Sequence, residues 1–298
     1  MARKFDPKVF QLGYVALGSP NLSKAREHYL QNLGMTEVAR DGDVSYLSIG
    51  FSHHDLVLRP ADQKTLGHLG FQLKPHISVD DIAKQLREIG LAPALKSDSQ
   101  PGVAQLVEVT PVGGVALQFY SEIAAPAPGF KQTGAAPLRL GHAAIISPEG
   151  DKLVAFFQDF LGFAFTDDIA GIANFLTCNR DHHVVNIVKA PESRVHHIAY
   201  QLKDTAQQGN AADALRAAGV NLLWGPARHT AGHNVAAYHH DPDKVLIELY
   251  TEMDVFLPEL GYCEPRPWHE HVPMKPRSWG FNELNAWGAD FAYNLAAG

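Results

Sequence analysis

Residues 12–35 read LGYVALGSPNLSKAREHYLQNLGM, and residues 140–163 read LGHAAIISPEGDKLVAFFQDFLGF. Both run from an apolar stretch through a Ser-Pro turn into a helix-period segment, and both end on Leu-Gly and an apolar residue. The register then persists. SYLSIGFSHHDLVLRP (45–60) matches NFLTCNRDHHVVNIVKA (174–190), LGHLGFQLK (66–74) matches VHHIAYQLK (195–203), and GGVALQFYSE (113–122) matches DKVLIELYTE (243–252). An offset that stays between 128 and 130 residues over more than a hundred positions marks an internal duplication. Between the copies, AAPAPGFKQTGAAP (124–137) has the Pro, Gly and Ala content of a linker. The expected organisation is an N-terminal domain over 1–123, that linker, and a C-terminal domain over 138–298 with a tail from about residue 255.

Each copy divides again into a strand, an amphipathic helix and further strands, which makes four units. Helices are expected over 22–33, 79–89, 150–161 and 205–218. Each is followed by a glycine and an apolar residue: Gly34-Met35, Gly90-Leu91, Gly162-Phe163 and Gly219-Val220. Glycine there supplies a left-handed stop. The pattern alone gives an α+β chain. Four such units, paired in two domains, resemble the vicinal-oxygen-chelate superfamily. The resemblance implies two βαβββ modules per domain, forming an open cup-shaped barrel.

The composition narrows the chemistry. With 298 residues, 46% of them hydrophobic and 19% charged, the chain can fill two cores. A net charge of −7 leaves no basic surplus to neutralise phosphates, so neither nucleic acid nor an anionic membrane is the expected partner. No apolar run reaches the roughly 18 residues of a membrane span, and the start MARKFDPKVF lacks a signal-peptide core, so a cytoplasmic location is expected. Two cysteines, Cys178 and Cys263, are too few for a thiolate cage, so any metal must be held by His, Asp or Glu. The 16 histidines crowd into the second half.

The duplication makes the first copy a control for the second. His142, His197 and Glu248 fall on three expected strands of the second copy, where the first has Tyr14, His68 and Gln118. Two imidazoles and a carboxylate suit Fe(II) and leave coordination positions open. Gln118 lacks the charge and Tyr14 the imidazole, so one metal per chain is expected. A lone strand histidine is more often structural, and His68 is read that way. A glutamate between Ile247 and Leu249 is harder to dismiss, because buried carboxylates need partners.

At these residues the second half resembles the type I extradiol ring-cleaving dioxygenases, the two-domain catechol 2,3-dioxygenase family. The most specific stretch is GPARHTAGHNVAAYHHDPDKVLIELY (225–250). The resemblance implies Fe(II), with Mn(II) possible, held by His142, His197 and Glu248. It also implies catalytic roles for His183, His229 and Tyr238, with a small aromatic diol and O₂ as partners, and a homo-oligomer. His229 and Tyr238 would hydrogen-bond the substrate oxygens, and His183 would face the oxygen chemistry. The competing reading of His183 is an inherited strand feature, since the first copy also has His53 and His54. His182 and His196 are read as structural, and His233, His239 and His240 as exposed or supporting. His269 and His271 of the WHEH stretch are read as surface residues.

Trp224, five residues before His229, favours an uncharged, alkylated or polyhydroxylated ring, with hydroquinone or trihydroxytoluene cleavage as a variant. The Trp- and Pro-rich tail over 261–288 shows no helix period and is expected to lie across the cup mouth. The rival classes are a glyoxalase-like isomerase, a 4-hydroxyphenylpyruvate dioxygenase-like enzyme, and a non-enzymatic module that binds aromatics.

Overall fold

The structure, a computed structural model, describes residues 5–112, 114–125 and 128–288. Parts of the expected linker (126–127) and of the two ends (1–4, 289–298) lie outside the described residues.

The first half contains β1 (Val9–Ser19), α1 (Leu22–Glu27), β2 (Thr36–Asp41), β3 (Val44–Ser48), β4 (Leu56–Pro60), β5 (Thr65–Leu73), α2 (Val79–Glu88), β6 (Ala94–Gln100), β7 (Val103–Val109) and β8 (Leu117–Tyr120). The second half repeats this with β9 (Arg139–Ser147), α3 (Gly150–Ala155), β10 (Ala164–Ile169), β11 (Ala173–Thr177), β12 (Val185–Lys189), β13 (Arg194–Gln201), α4 (Thr205–Ala217), β14 (Trp224–Arg228), β15 (Val235–His240) and β16 (Leu246–Thr251). The tail adds three two-residue strands, β17 (Phe256–Leu257), β18 (Tyr262–Cys263) and β19 (Ser278–Trp279). These are four βαβββ modules of the vicinal oxygen chelate type. Among the described residues, no helix is long and apolar enough to cross a membrane.

Helix placement follows the expectation, with one difference repeated in both halves. α1 and α3 each widen at the end into a π turn, over His28–Asn32 and Phe156–Phe160. The wider turn is closed by bonds from the Leu33 and Leu161 amides to the carbonyls five residues earlier, and Gly34 and Gly162 at φ +81° and +78° end it. A π turn adds one residue per turn. It lets Tyr29 and Leu33 in one copy, and Phe157 and Leu161 in the other, all turn into the core.

The first sheet runs β2-β3-β4-β1-β5-β8-β7-β6, and the second runs β14-β15-β16-β13-β9-β12-β11-β10-β19. The two modules of each half join through their first strands, β1 with β5 and β9 with β13, both antiparallel. The outermost strands do not meet, so each sheet is an open cup. Side chains alternate along a strand. Ala143 and Ile145 of β9 therefore enter the main apolar core, while His142 points the other way, into the cup. That core is continuous through both halves, with Phe71 of the first packed on Phe157 and Phe163 of the second.

Candidate metal centre and active site

His142, His197 and Glu248 stand on the adjacent strands β9, β13 and β16. Both His142 and Glu248 pair in register with Ala199, and His197 lies two residues before Ala199 on β13. A small residue at that crossing leaves open space above it, into which three side chains lean. His142 Nε2, His197 Nε2 and Glu248 Oε2 form a triangle with all three edges 3.2 Å, and all three residues are buried. Three donors held about 2.0–2.2 Å from one ion span edges of roughly 3.0–3.5 Å, so the triangle fits a divalent cation. Two imidazoles and one carboxylate are the donor set that suits Fe(II) or Mn(II).

The surroundings support that use. The His197 and His196 Nδ1 atoms lie 2.8 Å apart, so His197 Nδ1–H can donate to His196 Nδ1, which leaves His197 Nε2 bare. Asn234 Nδ2 donates to Glu248 Oε1 at 2.8 Å, and Tyr238 Oη donates to Oε2 at 2.9 Å. Burial pushes the Glu248 carboxyl up, but the His142, His197 and His229 imidazoles outweigh it and hold it well below the usual carboxylate range. Burial also lowers His183 and His197 well below the ordinary imidazole value, which keeps them neutral at pH 7. Neutral imidazoles and an ionised carboxylate are the forms that bind metal.

The equivalent place in the first half is filled. Gly70 stands where Ala199 does, and a Cβ there would lie 2.2 Å from the Tyr14 ring. Tyr14 lies across that glycine and donates to Gln118 Oε1 at 2.7 Å, while Gln118 Nε2 donates to Glu108. A closed hydrogen-bonded plug replaces the donor triangle.

The cavity over the triangle holds about 830 Å³ of empty space, mouth included, enough for a substituted aromatic ring. Ile169, Phe175 and Val188 of the sheet and Ile172 of the β10–β11 turn, with Phe281 and Leu284 of the tail, make it largely apolar. No Lys or Arg lines it among the described residues. His183, His229 and Tyr238 all face it, as do His196 and Asn234. His183 packs beside His142 with ring centroids 4.2 Å apart, and Tyr238 lies 5.7 Å from the His197 ring. His229 Nε2 is 2.9 Å from Tyr238 Oη, and its Nδ1 is 3.3 Å from the Leu284 carbonyl in the tail.

Several sequence expectations change. Trp224 does not line the cavity; it stacks on His229 with centroids 5.0 Å apart and fixes that ring from behind. His269 is buried, not a surface residue, whereas His271 is exposed. His233 and His239 are buried as well: His239 meets His28 of the first half at 3.3 Å, and His233 joins His269 on Asp254. That His233–Asp254–His269 group has the composition of a second metal site. Its hydrogen bonds oppose one. The Arg266 amide donates to His269 Nδ1, so His269 turns an N–H toward Asp254, and His233 Nδ1 approaches the other oxygen at 2.7 Å. The group closes as a clamp holding the tail down. Asn234, Phe281 and Leu284 carried no signal in the sequence, because their proximity to the site depends on loop and tail paths that no periodicity records.

Residues 139–249 match the family model described as Glyoxalase/Bleomycin resistance protein/Dioxygenase superfamily. A manganese-dependent 2,3-dihydroxybiphenyl 1,2-dioxygenase of Geobacillus genomosp. 3 is 25% identical, over 94% of this chain and 96% of that protein. Among solved structures, the homoprotocatechuate 2,3-dioxygenase of Arthrobacter globiformis superposes with TM-score 0.83 at 22% identity, over 98% of this chain and 92% of that one. The Mn(II)-bound glyoxalase of Novosphingobium aromaticivorans reaches TM-score 0.84 at 22% identity, over 98% and 94%. The chain carries a domain of this superfamily, and its homologues are extradiol ring-cleaving dioxygenases.

Proposed function

We propose that the protein is an Fe(II)- or Mn(II)-dependent extradiol dioxygenase that cleaves an uncharged, apolar-substituted catechol. The fold is shared with a glyoxalase and does not choose between the two activities. The choice is carried by one observation: the donor triangle is flanked by a hydrogen-bonded His229–Tyr238 pair on one side and by His183 on the other, inside an apolar cavity. An isomerase or a sequestering module has no use for that set. The organisation proposed with it is a first domain (1–123) without metal, a linker (124–137), and a metal-holding second domain (138–298). The proposed ligands are His142, His197 and Glu248.

When bound, the metal supplies a Lewis-acidic centre that acidifies the diol and lets electron density pass from it to O₂. The protein's own residues handle protons and position. The Tyr238 hydroxyl has one proton and two acceptors at 2.9 Å, Glu248 Oε2 and His229 Nε2. With His229 Nδ1–H directed at Leu284, Nε2 can accept a proton released by the diol, directly or through Tyr238. His183, neutral and facing the cavity, is placed to accept a hydrogen bond or proton at the opposite end. Phe281 and Leu284 exclude water from the ring. The absence of a lining cation among the described residues disfavours ring carboxylates, which would be buried without a partner.

The test is anaerobic loading with Fe(II) or Mn(II), followed by O₂ uptake and visible spectra with alkyl- and aryl-catechols and with carboxylated ones. Stoichiometric uptake with a new yellow absorbance is expected for the uncharged diols, and Glu248→Gln, which copies Gln118, loses metal and activity while staying folded. Metal-loaded protein that consumes no O₂ with any diol refutes the proposal.

A further inference from the structure

His182 and His183 are adjacent, and their Nδ1 atoms are 3.0 Å apart. On its far side, His182 Nε2 lies 3.2 Å from Asp167 Oδ2 on β10. Asp167 Oδ2 also accepts from Trp279 Nε1 at 2.9 Å, and Oδ1 accepts from the Arg277 amide at 2.9 Å. A carboxylate is acceptor-only, so it can bond His182 only if Nε2 carries the proton. With one proton on each ring, His182 then has a bare Nδ1. Across 3.0 Å, that lone pair requires the proton of the pair to sit on His183 Nδ1. One tautomer of His183 follows, with Nε2 bare. All three side chains are buried, and Phe175 packs its ring 4.8 Å from His183.

The first half again serves as a control. His53 and His54 have the same contact, Nδ1 to Nδ1 at 3.1 Å. The strand break between Phe165 and Asp167, where β10 slips against β11, recurs between Glu37 and Ala39, where β2 slips against β3. Asp167 therefore corresponds to Ala39. The paired histidines belong to both copies, but the carboxylate behind them is present only where the donor triangle is. A purely structural histidine pair would not need it.

We infer that Asp167 and His182 are positioning residues that hold His183 in the Nδ1-protonated tautomer, presenting a bare Nε2 to the substrate cavity. Asp167 is itself fixed by the tail through Trp279 and Arg277, so docking of the tail and the orientation of the His183 ring are tied to one carboxylate. The inference adds two residues to the proposed extradiol site, and its first test does not depend on that activity.

The first test is ¹⁵N NMR of the histidine rings in the metal-free protein at pH 7.5, with His183 assigned by its loss in His183→Gln. His183 is expected to show a protonated Nδ1 and an unprotonated Nε2. Asp167→Ala, which copies Ala39, and His182→Phe, which leaves Asp167 and its tail contacts in place, are both expected to mix the two tautomers. In the metal-loaded protein both lower kcat about 10-fold, less than the roughly 10²–10⁴-fold that an acid-base group itself contributes, with the KM for the diol changed less than two-fold. Trp279→Phe keeps the carboxylate and should keep the tautomer. A His183 protonated on Nε2 in the wild type, or an unchanged tautomer in His182→Phe, overturns the inference. Equal tautomer mixing in Trp279→Phe also overturns it, because tail docking would then be the cause.

Discussion

The difference between the halves at residue scale comes down to a few substitutions on one pattern of strands. Ala199 leaves the crossing of three strands open, whereas Gly70 lets a tyrosine ring lie flat across it. His68 is the first half's counterpart of His197, and it shows what an imidazole does there without a metal. Its Nε2 is buried without a partner, and burial lowers its pKa to about 3. The folded value is below the unfolded one, near 6.5, so between those two pH values the unfolded chain binds the extra proton. Stability contributed by the neutral ring is therefore complete above about pH 6.5 and declines as pH falls toward 3. Replacing His68 with Leu should flatten this acid limb, by up to about 1.4 kcal/mol for each pH unit in the window. Urea midpoints at pH 7 and pH 4.5 measure it: the drop should be smaller in the variant, with metal content unchanged. An identical drop would mean that His68 is already charged in the fold.

At the scale of elements, the tail is the part that the strand pattern describes least and the site uses most. β19 pairs with β10, Leu284 meets His229, and Phe281 closes the cavity. The tail is held at a second place by His269, which donates to Asp254, where His233 also bonds. His269→Ala removes one donor from a buried carboxylate, a loss of about 1–3 kcal/mol. Limited proteolysis should then cut within 261–288 faster than in the wild type, while the protein should still retain metal through the proposed ligands on β9, β13 and β16. Protease resistance equal to the wild type would show that β19 alone secures the tail.

Across the whole molecule, the duplication produces two sheets but not two independent cores. Phe71, Phe157 and Phe163 meet between the halves. Also between the halves, Ser19 and Asn21 both donate to Asp243, Tyr29 donates to Asp241, and His28 meets His239. Burying such a contact couples the folding of the two halves. Scanning calorimetry of the metal-free protein should show a single transition, and two resolved transitions would mean that the shared apolar contact is too weak to link them.

The sequence by itself determined the duplication, the four units of strand, helix and further strands and their glycine stops, because strand and helix periods and left-handed stops are local and repeat. It also marked His142, His197 and Glu248, since a buried carboxylate and two imidazoles on equivalent strands stand out against Tyr14, His68 and Gln118. Only the tertiary structure decided that His233 and His269 form a clamp, that Trp224 backs His229, and that Asp167 stands behind His182. Each of these depends on where a loop or the tail crosses the sheet, and that path is set by packing between distant segments with no period in the chain to announce it.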